Sequence, residues 1–127
     1  MADFEIGASR EETIVVGSDY ATTFLGPEGP RVLTTPRMIG FMEGTSRNLV
    51  LKMLGPGMDT VGTHVNVYHR KAAPMGATVI FTAELTAVSN KRLEFAVKCM
   101  MGDAVIGEGT HERAIVDVRQ FKQRVEG

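Results

Sequence analysis

The segment from Thr35 to Met53 constrains the fold most, because its apolar residues recur at the i, i+3, i+4 and i+7 spacing of one helix face. Thr35 can cap the free amides, and Pro36 suits the first helical position, where a missing N–H costs nothing. Residues 55–57, Gly-Pro-Gly, mark the end of the segment. The sequence therefore predicts one helix with an apolar face formed by Ile39, Met42, Glu43, Ser46, Val50 and Met53.

Glu43 is the unusual member of this face. A carboxylate that faces a core is costly unless it is paired or neutral, and such groups acquire shifted pKa values that general base or nucleophile chemistry can use. The alternative is a glutamate at the helix edge that leans out to solvent or bonds a buried polar neighbour. Glu43 is therefore a candidate catalytic residue with a plain structural alternative.

After the helix, the hydrophobic pattern changes to a period of two, which is typical of strands. Residues 61–69 alternate, so that His69 falls on the same face as Val61, Val65 and Val67. Two further alternating runs, at 78–87 and 93–101, are joined by a hairpin connection at 89–91. A last strand is predicted from about Ala104 to Val118, and the remaining predicted elements are a weaker strand at 13–20, a loop or lid at 21–32 and a short helix at 118–125.

This order of elements predicts an α+β hotdog fold, in which a long antiparallel β-sheet wraps around one central α-helix. Residues 1–127 form a single domain in this interpretation. Such sheets usually pair about a two-fold axis, so we expect a homodimer, or a higher oligomer built from it.

Composition excludes several classes of function. The net charge is −1 and no basic run is present, so no nucleic-acid partner is expected. No apolar stretch approaches the roughly 18 residues of a membrane span, and the lone Cys99 cannot form an internal disulfide, which together predict a cytoplasmic chain without a membrane partner. Cys99 lies on an alternating strand face and is expected to be an inert buried thiol. His64, His69 and His111 have no carboxylate at ligand spacing, so no metal site is expected.

Four strings of the chain, at residues 34–43, 61–69, 74–85 and 106–114, resemble hotdog thioesterases of the fluoroacetyl-CoA thioesterase type. The resemblance covers nearly the whole chain beyond the loop at 21–32. In that family a Thr before the helix, a Glu eight residues later and a His at the end of the next strand form the catalytic constellation. The resemblance therefore implies catalytic roles for Thr35, Glu43 and His69, and it assigns substrate contacts to Gly62 and Arg113.

The chain departs from this family ahead of the helix. The specialised fluoroacetyl-CoA enzymes carry an aromatic lid there, whereas residues 21–33 of this chain are shorter and offer only Phe24 as an aromatic contact to substrate. The fluorinated substrate is therefore not implied. The resemblance implies an acyl-CoA thioesterase that acts on a small or aryl acyl group and needs no cofactor, since CoA is part of the substrate. Arg70, Lys71 and Arg92 lie at predicted strand ends and are candidates to hold CoA.

Hydrolysis of a thioester requires a nucleophile or an activated water, donors for the oxyanion and a proton source for the thiolate. Glu43 could attack directly or activate water, Thr35 would position the attacking group, His69 would hold a proton or orient its neighbours, and Arg113 could pair with Glu43. Each residue also has a structural explanation, as a helix cap, a satisfied core histidine, a close-packing glycine or a surface strand charge.

The competing hypothesis from another class is a non-catalytic hotdog module that binds acyl-CoA or a hydrophobic ligand. An unpaired carboxylate on the core face argues against it, because a pure binder does not need one. A hydratase is a weaker rival, because its hotdog form needs an Asp and a His on the helix motif and the helix here has neither.

Overall fold

Five strands form one antiparallel sheet around a long helix. The computed structural model describes residues 3–127. In chain order, the elements are β1 (Ser9–Val15), a short 3-10 helix (Ser18–Tyr20), α1 (Thr35–Leu51), β2 (Met58–His69), β3 (Thr78–Ser89), β4 (Arg92–Met101), β5 (Ala104–Asp117) and α2 (Val118–Glu126). The strand order across the sheet is β1-β3-β4-β5-β2.

The meander of β3, β4 and β5 confirms the predicted hairpins. At the β3–β4 turn, Asn90 has a φ of 61°, a left-handed conformation that asparagine tolerates better than most residues. The first strand differs from the prediction, because it covers Ser9–Val15 rather than residues 13–20. Charged residues at 10–12 obscure its alternation, and the chain turns into the 3-10 helix at Ser18.

The sheet curls around α1, which contacts β1, β2, β3 and β4. The buried helix residues face a core dominated by Phe81 and Phe95, both no more than 1% exposed. The predicted apolar face is rotated slightly, since Met38 is buried whereas Ile39 and Met53 are only half-buried. The α+β hotdog arrangement is confirmed, and the helix residues that pack against the sheet are Met38, Met42, Thr45, Ser46, Leu49 and Val50.

The N-terminal cap of α1 is Thr34, and the prediction that Thr35 caps the helix is wrong. The Thr34 side chain accepts a hydrogen bond from the Arg37 amide at 3.3 Å. Thr35 is already in the first helical turn, and Pro36 follows it there. The Thr35 hydroxyl is therefore not needed to satisfy the helix end.

Strand β2 does not alternate strictly. Its register with β5 pairs Gly62 with Arg113 and His64 with Glu112, so Thr63 is the extra residue of a β-bulge. The predicted unbroken alternation from Val61 to His69 is wrong at this point. Without the bulge, Gly62 and His69 would lie on opposite faces of the strand, because they are an odd number of residues apart. The bulge brings both to the side that faces α1.

The two edges of the sheet differ. Strand β1 is short and carries Arg10, Glu11 and Glu12, whereas β2 is twelve residues long and has Asp59 as its only acidic or basic residue apart from histidines. Residues 62–66 of β2 are exposed along the outer edge. Among the described residues, no helix has the length and apolar character needed to cross a membrane.

Candidate active site

Thr35 and His69 form a contact pair between the start of α1 and the end of β2. Thr35 Oγ1 lies 2.7 Å from His69 Nδ1. Because Thr34 caps the helix, the Thr35 hydroxyl is free to make this bond. The other ring nitrogen, Nε2, is buried and has no hydrogen-bond partner among residues 3–127. His69 is therefore not a fully satisfied core histidine.

The surroundings of His69 favour its neutral form. Burial lowers the pKa of the imidazole below its ordinary value of 6.5, and the backbone of Lys71 only partly opposes this shift. A neutral imidazole can accept a hydrogen bond from the Thr35 hydroxyl at Nδ1 and carry its own proton on Nε2. In that tautomer, the buried nitrogen without a partner is a donor.

The Glu43 carboxylate lies next to a buried cation. Glu43 Oε2 is 3.6 Å from Arg113 Nη1, and the two side chains are 40% and 7% exposed. The carboxylate is half-buried and lies against the inner side of the sheet at Gly62 and Arg113, so the expectation that it is unpaired is wrong. Arg113 is buried, so the alternative that it is only a surface charge on the strand is wrong. One side of the carboxylate faces the Arg113 guanidinium. The rest is exposed enough to leave room for a ligand.

Gly62 provides the space in which this carboxylate lies. A Cβ atom at Gly62 would collide with Glu43 Oε2, and it would lie 3.3 Å from His111 Cε1 and 3.4 Å from Arg113 Nη1. A glycine in a strand often marks such a close approach. The side chain of any other residue would displace the carboxylate.

The guanidinium of Arg113 is fixed on three sides. Its Nε donates to Thr60 Oγ1 at 2.7 Å, its Nη2 donates to the Thr60 carbonyl at 2.9 Å, and its Nη1 lies 3.2 Å from His111 Nε2. Burial lowers the pKa of Arg113 and the Glu43 carboxylate raises it. An arginine remains charged in proteins, so this is a positioned cation in front of a carboxylate.

Within one protomer these two groups of residues are apart. Thr35 and Glu43 are eight positions apart on one helix, which is about 12 Å at 1.5 Å per residue. His69 and Gly62 are separated by about 23 Å at 3.3 Å per residue of extended strand. The structure thus brings together Thr35 with His69, and Glu43 with Gly62 and Arg113, but it does not join the two groups.

Phe24 lies outside both groups. Its side chain is 79% exposed, so it is not enclosed by the protomer. The loop that carries it is held by Arg31, whose Nε donates to the Thr22 carbonyl and whose Nη2 donates to the Ser18 carbonyl, each at 2.8 Å. Phe24 is thus an exposed ring on a loop that Arg31 anchors.

An open pocket of about 290 Å³ lies beside the Thr35–His69 pair. Its rim carries Arg70 and Lys71. Arg70 already donates to Glu108 at 2.8 Å, whereas Lys71 takes part in no ion pair among the described residues. A larger cavity of about 960 Å³ at the C-terminal end of α1 contains none of the candidate residues, so cavity volume does not locate the site.

The third CoA candidate, Arg92, lies in a cluster of charges. It is 3.5 Å from Glu112 and 3.9 Å from Glu94.

Cys99 is buried, and burial raises the pKa of its thiol to about 12, which makes it unreactive. No group of three or more potential metal ligands occurs within residues 3–127.

Two residues of the Arg113 surroundings were not identified from the sequence. Thr60 precedes the alternating run at 61–69, and His111 had no assigned role. The only sequence signal for His111 is its position two residues before Arg113, on the same face of a strand.

Comparisons with known proteins place these residues in a family context. The profile of the fluoroacetyl-CoA-specific thioesterase family matches residues 15–119. A fluoroacetyl-CoA thioesterase from Streptantibioticus cattleyicolor is 40% identical over 98 residues, which is 77% of this chain and 70% of that protein. A solved structure of a fluoroacetyl-CoA thioesterase is 34% identical and superposes with a TM-score of 0.89 over 98% of this chain and 96% of that one. A hot-dog-like protein from Thermanaerovibrio acidaminovorans, at 21% identity, shares the fold with a TM-score of 0.88, covering 96% of this chain and 90% of that chain.

Proposed function

The chain belongs to the fluoroacetyl-CoA-specific thioesterase family, a family of thioester hydrolases, and from that membership we propose that it hydrolyses an acyl-CoA thioester to the free acid and CoA. We propose a small or aryl acyl group. Glu43 acts as the nucleophile or general base, and Thr35 and His69 support it. No cofactor is needed, because CoA is part of the substrate.

The observation that carries this proposal is the setting of Glu43. The buried Arg113 orients the carboxylate, and the absence of a side chain on Gly62 leaves space for it. The Glu43 side chain is 40% exposed, so a ligand can reach it. Attack on a carbonyl and activation of water both need a carboxylate that is held in place but accessible. A salt bridge with only a structural role would not require a glycine at position 62.

Two routes use this geometry. If Glu43 attacks the thioester carbonyl, the C–S bond breaks, an acyl-glutamyl anhydride forms and water then hydrolyses it. If Glu43 instead takes a proton from water, the hydroxide adds to the carbonyl and the C–S bond breaks as the tetrahedral intermediate collapses. In both routes the CoA thiolate leaves and takes up one proton. Mass spectrometry of rapidly quenched enzyme separates the routes, since only the first leaves an acyl group on the peptide that contains Glu43.

Thr35 and His69 serve the same reaction from the side of the substrate opposite Glu43. A neutral His69 that accepts a hydrogen bond from the Thr35 hydroxyl at Nδ1 carries its proton on Nε2. This nitrogen has no partner among residues 3–127, so it can donate to a substrate oxygen once binding uncovers it. The Thr35 hydroxyl then presents its lone pairs to the attacking water or to the Glu43 carboxylic acid. These roles require that both groups of residues meet at one substrate.

We infer that they meet across a homodimer. The long, nearly uncharged edge of β2 is unprotected against pairing with another strand, whereas β1 is short and charged. Antiparallel pairing of β2 with a second copy, about a two-fold axis between Val65 and Asn66, would set Gly62 opposite the partner's His69, because 62 and 69 are symmetric about that point. Glu43 of one protomer would then face the Thr35–His69 pair of its partner.

A second feature of α1 supports this arrangement. Gly40 and Gly44 are one helical turn apart. Apart from chain neighbours and nearby backbone of the helix itself, no atom of residues 3–127 comes within 4 Å of a Cβ built at either position. Glycine in mid-helix costs about 1 kcal/mol relative to alanine. Close approach of a second copy of the chain explains why both positions lack a side chain.

The acyl group is proposed to be less restricted than in the relatives named for fluoroacetyl-CoA. The loop ahead of α1 leaves Phe24 and Leu25 exposed, at 79% and 46%, so neither side chain closes over an acyl group in its own protomer. CoA is proposed to reach the site over Lys71, the cation on the rim of the Thr35–His69 pocket that is not paired. A cytoplasmic location remains a prediction from the lone Cys99.

Thiol release from a panel of acyl-CoA esters tests the function. We expect turnover of acetyl-, small branched and aryl-CoA esters, with fluoroacetyl-CoA included as the family substrate, and a collapse of kcat in Glu43→Gln. Glu112→Gln is the matched control, because it removes a half-buried carboxylate from the other face of the sheet. Binding of CoA esters without hydrolysis by the unaltered protein would overturn the proposal in favour of a binding module.

A further inference from the structure

We propose that His111 is a positioning residue of this site, which acts as a neutral hydrogen-bond acceptor that holds Arg113 in front of Glu43. The proposal rests on the proposed function for its kinetic consequences, but its structural part can be tested without turnover. His111 is 1% exposed and belongs to neither half of the proposed catalytic group.

The hydrogen bonds of His111 specify one tautomer. Its Nδ1 lies 2.8 Å from the His64 carbonyl oxygen, which can only accept, so the proton must be on Nδ1. Its Nε2 lies 3.2 Å from Arg113 Nη1, which can only donate, so Nε2 must present a lone pair. Both bonds are made at once only by the neutral imidazole with its proton on Nδ1.

The surroundings favour that neutral form. Burial lowers the pKa of His111, and the Arg113 and His64 charges lower it further, while the His64 carbonyl and the Glu43 carboxylate raise it. The ring also stacks on Phe95, with ring centroids 6.0 Å apart, which fixes its plane. A protonated ring would set an N–H against the guanidinium and could not accept from it.

The consequence concerns how Arg113 meets Glu43. Thr60 holds the Nε and Nη2 side of the guanidinium, and His111 holds Nη1. Glu43 Oε2 stays 3.6 Å from Nη1, outside an ordinary hydrogen bond. Without the acceptor at His111, Nη1 would have the carboxylate as its remaining partner, and the guanidinium would turn toward it. A carboxylate engaged in a closed ion pair is a poorer nucleophile or base, so His111 keeps Glu43 available.

Two substitutions separate this role from a structural one. In His111→Gln, the amide oxygen can occupy the place of Nε2 and accept from Arg113, but the donor to His64 is lost. In His111→Asn, the amide nitrogen can donate to the His64 carbonyl in place of Nδ1, but nothing reaches Arg113. We expect His111→Gln to retain kcat within about threefold and His111→Asn to lose about tenfold or more, with KM little changed in both.

A role confined to anchoring the bulge predicts the opposite order, with His111→Asn active and His111→Gln impaired. That order, or equal losses in two folded variants, would overturn the proposal. Denaturant unfolding of both variants shows whether a loss of kcat comes from a loss of structure.

The tautomer is measured independently of activity. Long-range ¹H–¹⁵N correlation spectra of the unaltered protein should show a protonated Nδ1 and an unprotonated Nε2 for His111 throughout the neutral pH range. A proton on Nε2, or a charged ring at neutral pH, would overturn the proposal even if the enzyme is active. The expected tautomer in a protein that hydrolyses no acyl-CoA ester would instead leave the positioning of Arg113 intact and reject the proposed function.

Discussion

Thr34 and Thr35 are neighbours in sequence but meet different demands. The first satisfies a backbone amide of α1, and the second bonds an imidazole 34 positions further along the chain. A helix start supplies a rigid position for a side chain, because the dihedral angles of the first turn are fixed by the cap. The cap at Thr34 thus leaves the Thr35 hydroxyl free for its bond to His69 and for the proposed role in the site.

The two threonines provide a matched pair of variants. Thr34→Ala should lower the free energy of unfolding by about 1 kcal/mol, since it removes a helix cap, and should change kcat little. Thr35→Val should leave stability nearly unchanged and reduce kcat by about tenfold or more, because it removes the bond to His69. Denaturant unfolding and steady-state kinetics of both proteins check these expectations. Loss of stability in Thr35→Val with unchanged kcat would return Thr35 to a structural role.

Gly62 is a second position at which the addition of one carbon atom should change the activity. In Gly62→Ala the new methyl group takes the space of Glu43 Oε2, which is the free end of a flexible side chain. The carboxylate can move away, so we expect the fold to survive while kcat falls about 100-fold. Gly55→Ala is the control, because a Cβ there would have no described atom within 4 Å apart from its chain neighbours. A Gly62→Ala enzyme with normal kcat would show that Glu43 is not needed in its present place.

At the scale of elements, the bulge in β2 decides which side chains meet. The sequence pattern predicted the strand and placed His69 toward the helix, but strict alternation sent Gly62 to the other face. A bulge depends on how β2 pairs with β5, which is a contact between distant parts of the chain. Periodicity within one segment cannot reveal it. The same limit applies to Thr60 and His111, whose importance comes from Arg113 rather than from their own neighbours in sequence.

The helix and the meander could be predicted because their signals are local. The apolar spacing of α1, the turn at Asn90 and the length of the alternating runs all act within a few residues. The choice of Thr34 over Thr35 as cap could not be predicted, since both are threonines, which cap helices well, and the difference lies in the distant His69. The pairing of Glu43 similarly depends on Arg113, which lies on a distant strand.

The attachment of β1 to α1 gives a prediction about pH. Burial alone would raise the pKa of Glu12, but hydrogen bonds from Arg10, Asn48 and Thr45 outweigh it, and the pKa is lowered from its ordinary value of 4.5. A carboxyl group whose pKa is lowered by folding stabilises the protein above its unfolded pKa. That stabilisation is lost as the pH falls through the folded pKa.

The protein should therefore be more stable than Glu12→Gln at neutral pH, and the difference should shrink as the pH falls below 4.5. Urea unfolding of both proteins at several pH values measures this difference. Glu11→Gln serves as the control, because Glu11 is exposed on the same strand. A difference that is constant down to strongly acid pH would mean that the hydrogen bonds of Glu12 do not depend on its charge.

For the whole molecule, the two edges of the sheet have different consequences. Charged side chains on β1 discourage strand pairing, whereas the long edge of β2 offers unpaired backbone groups with little charge to oppose a second strand. Each protomer carries both halves of the proposed site, about 12 Å apart along α1. A two-fold axis at the middle of the β2 edge would complete two sites at once, one from each combination of halves.

Subunit complementation tests this arrangement directly. Thr35→Val and Glu43→Gln homodimers each lack one half of every site, so both should have little activity. A heterodimer of the two has one site with both lesions and one site with none. If subunits assort at random in an equal mixture, half of the dimers are heterodimers with half of their sites intact, and about a quarter of the original activity should return. Exchange must first be verified by native mass spectrometry of the mixture. Heterodimers that form but show no recovery would mean that no site combines residues of two protomers. Thr35 and Glu43 of one chain are too far apart along α1 to act on one carbonyl, so the two residues could then not act together.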